Sequence, residues 1–366
     1  MYNINENNQN NRWVYSTKSD KSKFRAIMYI LSLSVLLEFF IFEFAPEYIY
    51  RFLFYLTDII QPEFVYNLPI DEINYIFYSI ASIILSVIAS SVTVIFLLIF
   101  LRRFTSEPEV TVIDKITYKF KLPENTLFLL IIGICIIQFS SNLSVFFNYF
   151  LEYCFGIIQT IPDDLFFPET VSGIILYFIS IVVMPALIEE FMFRYIMLNA
   201  LKKYGHTFAI VATSILFGFL HARTSAFFYA TAIGFFLAYV AIKTKSIWFS
   251  VILHALVNFT AFIFQFVASL PITDYEYSVI YLLFLSVISF ISLIYSLVLI
   301  TKKKNLKLGA PENYTHIENK KKLIFFFNAA AIIFFILVIA KSAGYYGFEK
   351  ISDNIMSING MKIWKN

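Results

Sequence analysis

Cysteine is nearly absent, with Cys135 and Cys154 the only two in 366 residues. That excludes a disulfide framework and any cysteine metal-ligand spacing, and leaves both as packing residues. Charge is also scarce. Asp, Glu, Lys and Arg make up 14% of the chain, against 59% hydrophobic residues and a mean hydropathy of +0.74. So little charge excludes an ordinary soluble domain. The first 23 residues are polar and Asn-rich, without the short apolar core and cleavage site of a signal peptide. They read as a disordered arm ahead of an uncleaved first helix. His-Glu-x-x-His occurs nowhere, which excludes the zincin arrangement. Internal repeats and inverted pairs of broken hydrophobic segments are lacking too, and with them the usual pointer to a secondary transporter.

What the chain has instead is apolar runs of the length a bilayer needs, roughly 20 residues. Nine are read: Phe24–Ala45, Ile76–Leu101, Leu127–Val145, Val171–Leu201, Thr207–His221, Ala226–Ile242, Ile247–Leu270, Tyr277–Ile300 and Leu323–Ala340. Backbone amides in lipid need internal partners, so the runs are expected as helices despite their strand-favouring Ile, Phe and Tyr. The expected fold class is all-α, a polytopic membrane bundle of about nine transmembrane helices. The expected organisation is an arm (1–23), a flanking membrane region (24–170), a core (171–270) in which the polar residues concentrate, and C-terminal helices with a basic loop and tail (271–366). Residues 46–75 and 141–170 read as segments lying at the interface.

The net charge of +3 says less than its distribution. Arg102, Arg103, Lys115, Lys119 and Lys121 fill the second connection, and Lys202, Lys203, Lys243, Lys245 and Lys302 to Lys304 mark later ones. The first and third connections are acidic, with Glu47, Asp58, Glu63, Asp71 and Glu72, then Asp163, Asp164 and Glu169. The positive-inside rule then places the N-terminus in the cytoplasm, with Arg223 alone on the wrong side. The expected location is an integral multi-pass membrane protein.

Ionisable side chains at membrane depth are costly, and here they fall in three short constellations: Glu189-Glu190-x-x-x-Arg194, Phe217-x-x-x-His221 and His254-x-x-x-Asn258. Residues four apart share a helix face, so Glu190 meets Arg194. A buried ion pair is one reading of those two. Glu189 lies about 100° around the helix and has no local partner, which suits an acid that takes a proton from water. A hairpin turning near Gly205 puts Glu189 and His221 at equal depth, sixteen residues to either side. Alternatively, His221 is a core histidine bonded to a carbonyl. Phe217 would fix its orientation. His254 and Asn258 suit donation to a developing oxyanion, or else form an interhelical hydrogen-bonded pair. His254 is expected roughly 10 Å shallower than Glu189, unless Pro185 breaks the fourth helix or its end protrudes into the cytoplasm. Glu38 and Glu43 can reach the interface and are assigned no chemistry, and Lys320 to Lys322 read as topology signals that can also hold anionic lipid.

Glu189-Glu190-Phe191-Met192-Phe193-Arg194, Phe217-Gly218-Phe219-Leu220-His221 and His254-Ala255-Leu256-Val257-Asn258, in this order, resemble the CPBP family. These are the type II CAAX prenyl proteases and their Abi or lysostaphin-resistance-A-like bacterial relatives. Thr244-Lys245-Ser246-Ile247-Trp248 is similar to the approach to the third motif, and the resemblance covers residues 171–260. Tyr195 and Ala238 stand where glycines are usual. The resemblance implies an intramembrane endopeptidase in which Glu189 and His221 activate water, Glu190 and Arg194 support them, and His254 and Asn258 bind the oxyanion. A divalent metal such as zinc, if present, would use Glu189, His221 and His254. The implied partners are a membrane-associated protein or peptide substrate and the lipid bilayer, with no nucleic acid. A non-catalytic immunity or scaffold protein on the same fold is the second reading, and a proton-coupled transporter the third.

Overall fold

The computed structural model describes residues 14–15, 18–60, 70–104, 116, 119–123, 126–159, 167–222, 224–270, single positions between 280 and 294, 315–343 and 346–348. Within them the chain is a helical bundle. Its longer helices are α1 (Lys18–Ile60), α2 (Ile70–Phe104), α3 (Thr126–Phe155), α4 (Val171–Lys202), α5 (His206–Leu220), α6 (Thr224–Thr244) and α7 (Trp248–Ser269). The short α8 (Asn319–Lys322) and α9 (Ile324–Phe327) precede α10 (Ala329–Ala343). Two small strand pairs tie distant segments. Val14–Tyr15 runs parallel to Thr315–His316, and Ile157–Gln159 pairs antiparallel with Tyr346–Phe348.

Six of the described helices, α1 to α4, α6 and α7, are long and apolar enough to cross a membrane. Six therefore stand where nine were expected, for three reasons. The span expected at 277–300 lies largely outside the described residues. α5, with 15 residues, extends only about 22 Å, less than a hydrocarbon core. It is bounded by Gly205 at φ 121 and by Ala222 at φ 51, positive values that end helical winding. The run read as Leu323–Ala340 is broken at Asn328, whose ψ of 157 leaves the helix. Asn328 Oδ1 accepts the Ala331 amide at 3.0 Å, a cap for α10. Its Nδ2 donates to Ser32 Oγ of α1 at 2.9 Å.

Other boundaries also shift. α1 begins at Lys18 and continues through Pro46 to Ile60, so the start of the segment expected at the interface is continuous with the first helix. α3 likewise continues past Val145 to Phe155. The polar residues 1–13 and the basic stretch 301–314 lie outside the described residues.

α1 packs on α2 and α10, α3 and α5 pack on α6, α2 runs along α4, and α7 leans on α4. One apolar cluster joins Leu31, Val35 and Phe39 of α1, Met192 and Phe193 of α4, Phe217 of α5, Leu237 of α6 and Leu253 of α7. Close approach of α5 to α6 depends on small residues, as in membrane bundles generally. A Cβ on Gly218 would sit 1.9 Å from Thr231 Oγ1, and one on Gly234 would sit 3.2 Å from Ser214 Cα. Gly218→Ala is therefore expected to destabilise the folded protein by about 1–3 kcal/mol through overpacking. Adding Thr231→Ala should restore most of the loss. Thermal unfolding in detergent measures both, and equal destabilisation by the single and double variants would refute this packing account.

Candidate active site

α4 carries the acidic motif, and both ends of that helix are fixed by residues outside it. At the N-terminus, Thr170 caps by accepting the Gly173 amide at 3.0 Å. The buried Glu72 of α2 accepts the amides of Glu169 at 2.8 Å and Thr170 at 3.1 Å, and also the Thr170 hydroxyl. An anion at the positive end of a helix is favourable, and this one anchors α4 to α2. At the C-terminus, Asn199 clamps Ile116, donating to its carbonyl and accepting from its amide, both at 3.2 Å. The hairpin tip is buried under α1, with Tyr204 edge-on to Phe24 at 4.7 Å.

Between these anchors α4 is not uniform. Two π-wound stretches, Ile179–Val183 and Phe191–Met197, flank the α-helical Met184–Glu190. Pro185 sits in the first turn of that central piece. Its missing N–H and ring are absorbed by the wider winding just before it, so the helix continues and the break that the sequence offered as one alternative does not form. Insertions of this kind rotate the following side chains about the axis.

Glu190 and Arg194 are completely buried, with Arg194 Nε 3.0 Å from Glu190 Oε2. The N–H is not aimed at that oxygen, so the contact is an ion pair rather than a directed hydrogen bond. The guanidinium also lies over Phe217 at 4.9 Å and Phe193 at 5.8 Å, where cation–π attraction offsets part of its desolvation. The other oxygen of Glu190, Oε1, lies 3.1 Å from His254 Nδ1 of α7. A carboxylate only accepts, so Nδ1 carries the proton of this bond and Nε2 is left for other partners. The turn that starts α7 sets the depth of His254. Thr244 Oγ1 donates to Val240 O at 2.9 Å, Ser246 Oγ to Lys119 O at 3.0 Å, and Ser250 Oγ to Leu237 O at 3.2 Å. The expected depth mismatch does not occur.

The meeting of acid and imidazole differs from the one expected. Glu190, not Glu189, holds an imidazole, and it is that of His254, not His221. Among the described residues no hydrogen bond joins Glu189 to His221. His221 is half-buried at the end of α5 and donates from Nδ1 to its own helix, at Phe217 O, 2.9 Å away. The carbonyl-bonded alternative thus describes its Nδ1, and Nε2 has no hydrogen bond among the described residues. Phe217 does more than orient His221, since its ring is 4.9 Å from that imidazole and 5.7 Å from His254's. Asn258 is half-buried one turn beyond His254, and its amide has no hydrogen bond among the described residues.

Glu189 is half-buried, and its Oε2 is buried without a hydrogen-bond partner among the described residues. Its charge acts on Arg194, on His254 and, unforeseen from the sequence, on Glu38 of α1. Among the described residues no three His, Cys, Asp or Glu side chains converge on one point. The donors named for zinc therefore do not fit a three-ligand site.

These contacts separate the two acids. Glu190→Gln strips the nearest counter-charge from a buried arginine, which typically costs about 3–5 kcal/mol, whereas Glu189→Gln breaks no hydrogen bond or close ion pair among the described residues. Thermal unfolding should show a large fall for the first and little change for the second. Equal behaviour would contradict the ion-pair assignment.

Comparison with known proteins agrees with the region of the motifs. Residues 171–260 match the family model described as type II CAAX prenyl endopeptidase Rce1-like. The chain is also similar to the candidate membrane peptidase YdiL of Bacillus subtilis (strain 168), with 29% identity over 136 residues. That stretch is 37% of this chain and 54% of the other, so the chain spans about half the length of the curated relative it matches. No solved structure matches. The resemblance carried by the three motifs is thus met by a family-model match over the same residues, with the helices on either side left unassigned.

Proposed function

We propose that this protein is an intramembrane endopeptidase that hydrolyses a peptide bond in a membrane-associated protein or peptide, with Glu189 as the base. One observation carries the reading. Among the described residues, Glu189 has a buried carboxylate oxygen without a hydrogen-bond partner, beside a second acid that is already held by Arg194 and His254. Glu189 takes a proton from water as the water oxygen bonds to the scissile carbonyl carbon. The charge that develops on the carbonyl oxygen is met by Asn258 Nδ2 and by Nε2 of His254 in its imidazolium form. In that form two carboxylates balance one guanidinium and one imidazolium. Glu189 then passes the proton to the amide nitrogen as the C–N bond breaks. Nε2 of His221 orients the attacking water. Glu190 and Arg194 hold His254 in place and do not touch the substrate.

The family match and the similarity to a membrane peptidase support the protease class. CAAX-type or bacteriocin-type processing is the substrate class proposed. With Arg102 and Arg103 after the second span and Lys202 and Lys203 after the fourth on the inner side, the N-terminus is cytoplasmic.

Glu189→Gln is expected to reduce cleavage by about 10²–10⁴-fold in proteoliposomes while the protein stays folded. Full activity would remove Glu189 from the role of base. The same inactive variant, carrying a photo-crosslinker, should retain the protein it would otherwise cut, and mass spectrometry identifies it. Prolonged dialysis against a zinc chelator should leave turnover unchanged within about twofold, since the donors do not converge. Loss of turnover that added zinc restores would overturn the metal-free scheme.

A further inference from the structure

Far from the acidic motif and outside the matched segment, the start of α1 meets the chain around α8 in a shallow cleft. Lys21, Phe24 and Arg25 of α1 form one wall, and Ile317, Lys321 and Ile324 form the other. Lys21 and Arg25 are four apart and share a helix face. The floor between the cations is apolar, with Phe24 and Ile317 both almost completely buried. Phe24 in turn packs edge-on against Tyr204 at 4.7 Å and lies 6.0 Å from Phe208. Both walls are held from two sides. The pairing of Val14–Tyr15 with Thr315–His316 joins the residues just before α1 to those just before Ile317. Deeper along α1, roughly 16 Å from Lys21, the Ser32 hydroxyl accepts from Asn328 Nδ2 at 2.9 Å.

Positive charge dominates the cleft. The acid beside it is Glu318, whose Oε1 is 2.8 Å from Lys321 Nζ. That pair is open to solvent, with the side chains 60% and 31% exposed, so it is weak, and the ammonium keeps further donors. Lys322 is directed elsewhere, over the Phe208 ring at 5.6 Å. Of the lysines 320 to 322, which the sequence offered for anionic lipid, Lys321 is thus one that faces the cleft, while the side chain of Lys320 lies outside the described residues. Below Arg25 the same face of α1 continues in Tyr29 and Leu33, both exposed, at 47% and 43%. Cations at the rim above an apolar track match a phospholipid, with its phosphate at the interface and its chains in hydrocarbon. A soluble phosphate in so open a cleft has charge alone to hold it, and salt screens that attraction. A lipid adds the apolar contact of its chain.

We propose that this cleft binds the headgroup phosphate of an anionic phospholipid through Lys21, Arg25 and Lys321, with an acyl chain lying along Tyr29 and Leu33. None of these residues belongs to the hydrolytic scheme, so the test needs no cleavage and stands whether or not Glu189 is the base.

The full-length protein in detergent is given phosphatidylglycerol and phosphatidylcholine together, and retained lipid is read by native mass spectrometry. Phosphatidylglycerol should be retained in preference. Lys21→Gln, Arg25→Gln and Lys321→Gln should each weaken its binding about fivefold, the effect of one cation near an anionic headgroup, and Lys21→Arg should keep it. The double variant Lys243→Gln, Lys245→Gln removes more charge from the exposed turn between α6 and α7, and should change binding by less than about twofold because the turn is screened from the cleft. A loss in that control as large as in the cleft variants would reduce the preference to general surface charge and sink the site. Inorganic phosphate should not displace the lipid; displacement would make this a free-anion site and overturn the lipid assignment. The unmodified protein supplies an arm that depends on no variant. Phosphatidylglycerol with a diazirine in its acyl chain should label the peptide holding Tyr29 and Leu33. Label spread evenly over the exposed helices, or the same label from the phosphatidylcholine analogue, refutes the proposal.

Discussion

Everything in the site is arranged around the carboxylate of Glu190, which is shared between the guanidinium of Arg194 and the imidazole of His254. All three groups are buried in a bundle whose outer faces are apolar, with Ile95, Ile99 and Phe146 exposed where lipid would lie. A single unpaired charge there costs several kcal/mol, so the three are retained together or not at all. The arrangement fixes α7 against α4 at one depth. Both oxygens of Glu190 are thereby engaged, one by the guanidinium and one by the imidazole.

The neighbouring Glu189 inherits the opposite condition. It projects from the next position on the helix, about 100° away, and among the described residues hydrogen-bonds to none of those partners. Two π-wound stretches bracket the motif, and such insertions occur often at functional positions because they turn side chains without ending a helix. Phe217 occupies the space between the guanidinium and the two imidazoles. An aromatic ring can do this because its face attracts a cation while its edge excludes water.

The matched segment does not stand alone. Its first helix is capped by Glu72 from α2, its hairpin tip is clamped at Ile116 and covered by Phe24 from α1, and its third motif is set by a turn bonded to Lys119. The flanking chain thus supplies the walls that hold the depth of each motif. Hairpin α5–α6 adds close packing through Gly218 and Gly234, and Ala238, standing where a glycine was noted as usual, is fully buried in the same region.

Much of this was legible in the residues themselves. The lipid constraint on backbone hydrogen bonds made the helical class and most span positions readable, and the four-residue spacing made the Glu190–Arg194 pair readable, because both are local rules. The hairpin at Gly205 followed from the same logic. Other features were not local. Asn328 breaks an unbroken apolar run because Ser32, nearly three hundred residues away, bonds its amide. Pro185 leaves α4 continuous because the turn before it winds wider. The partner of His254 and the hub position of Phe217 were decided only when α4, α5 and α7 packed together. Sequence spacing states which residues share a face of one helix; which face meets another helix depends on crossing angles and depths that no single segment contains.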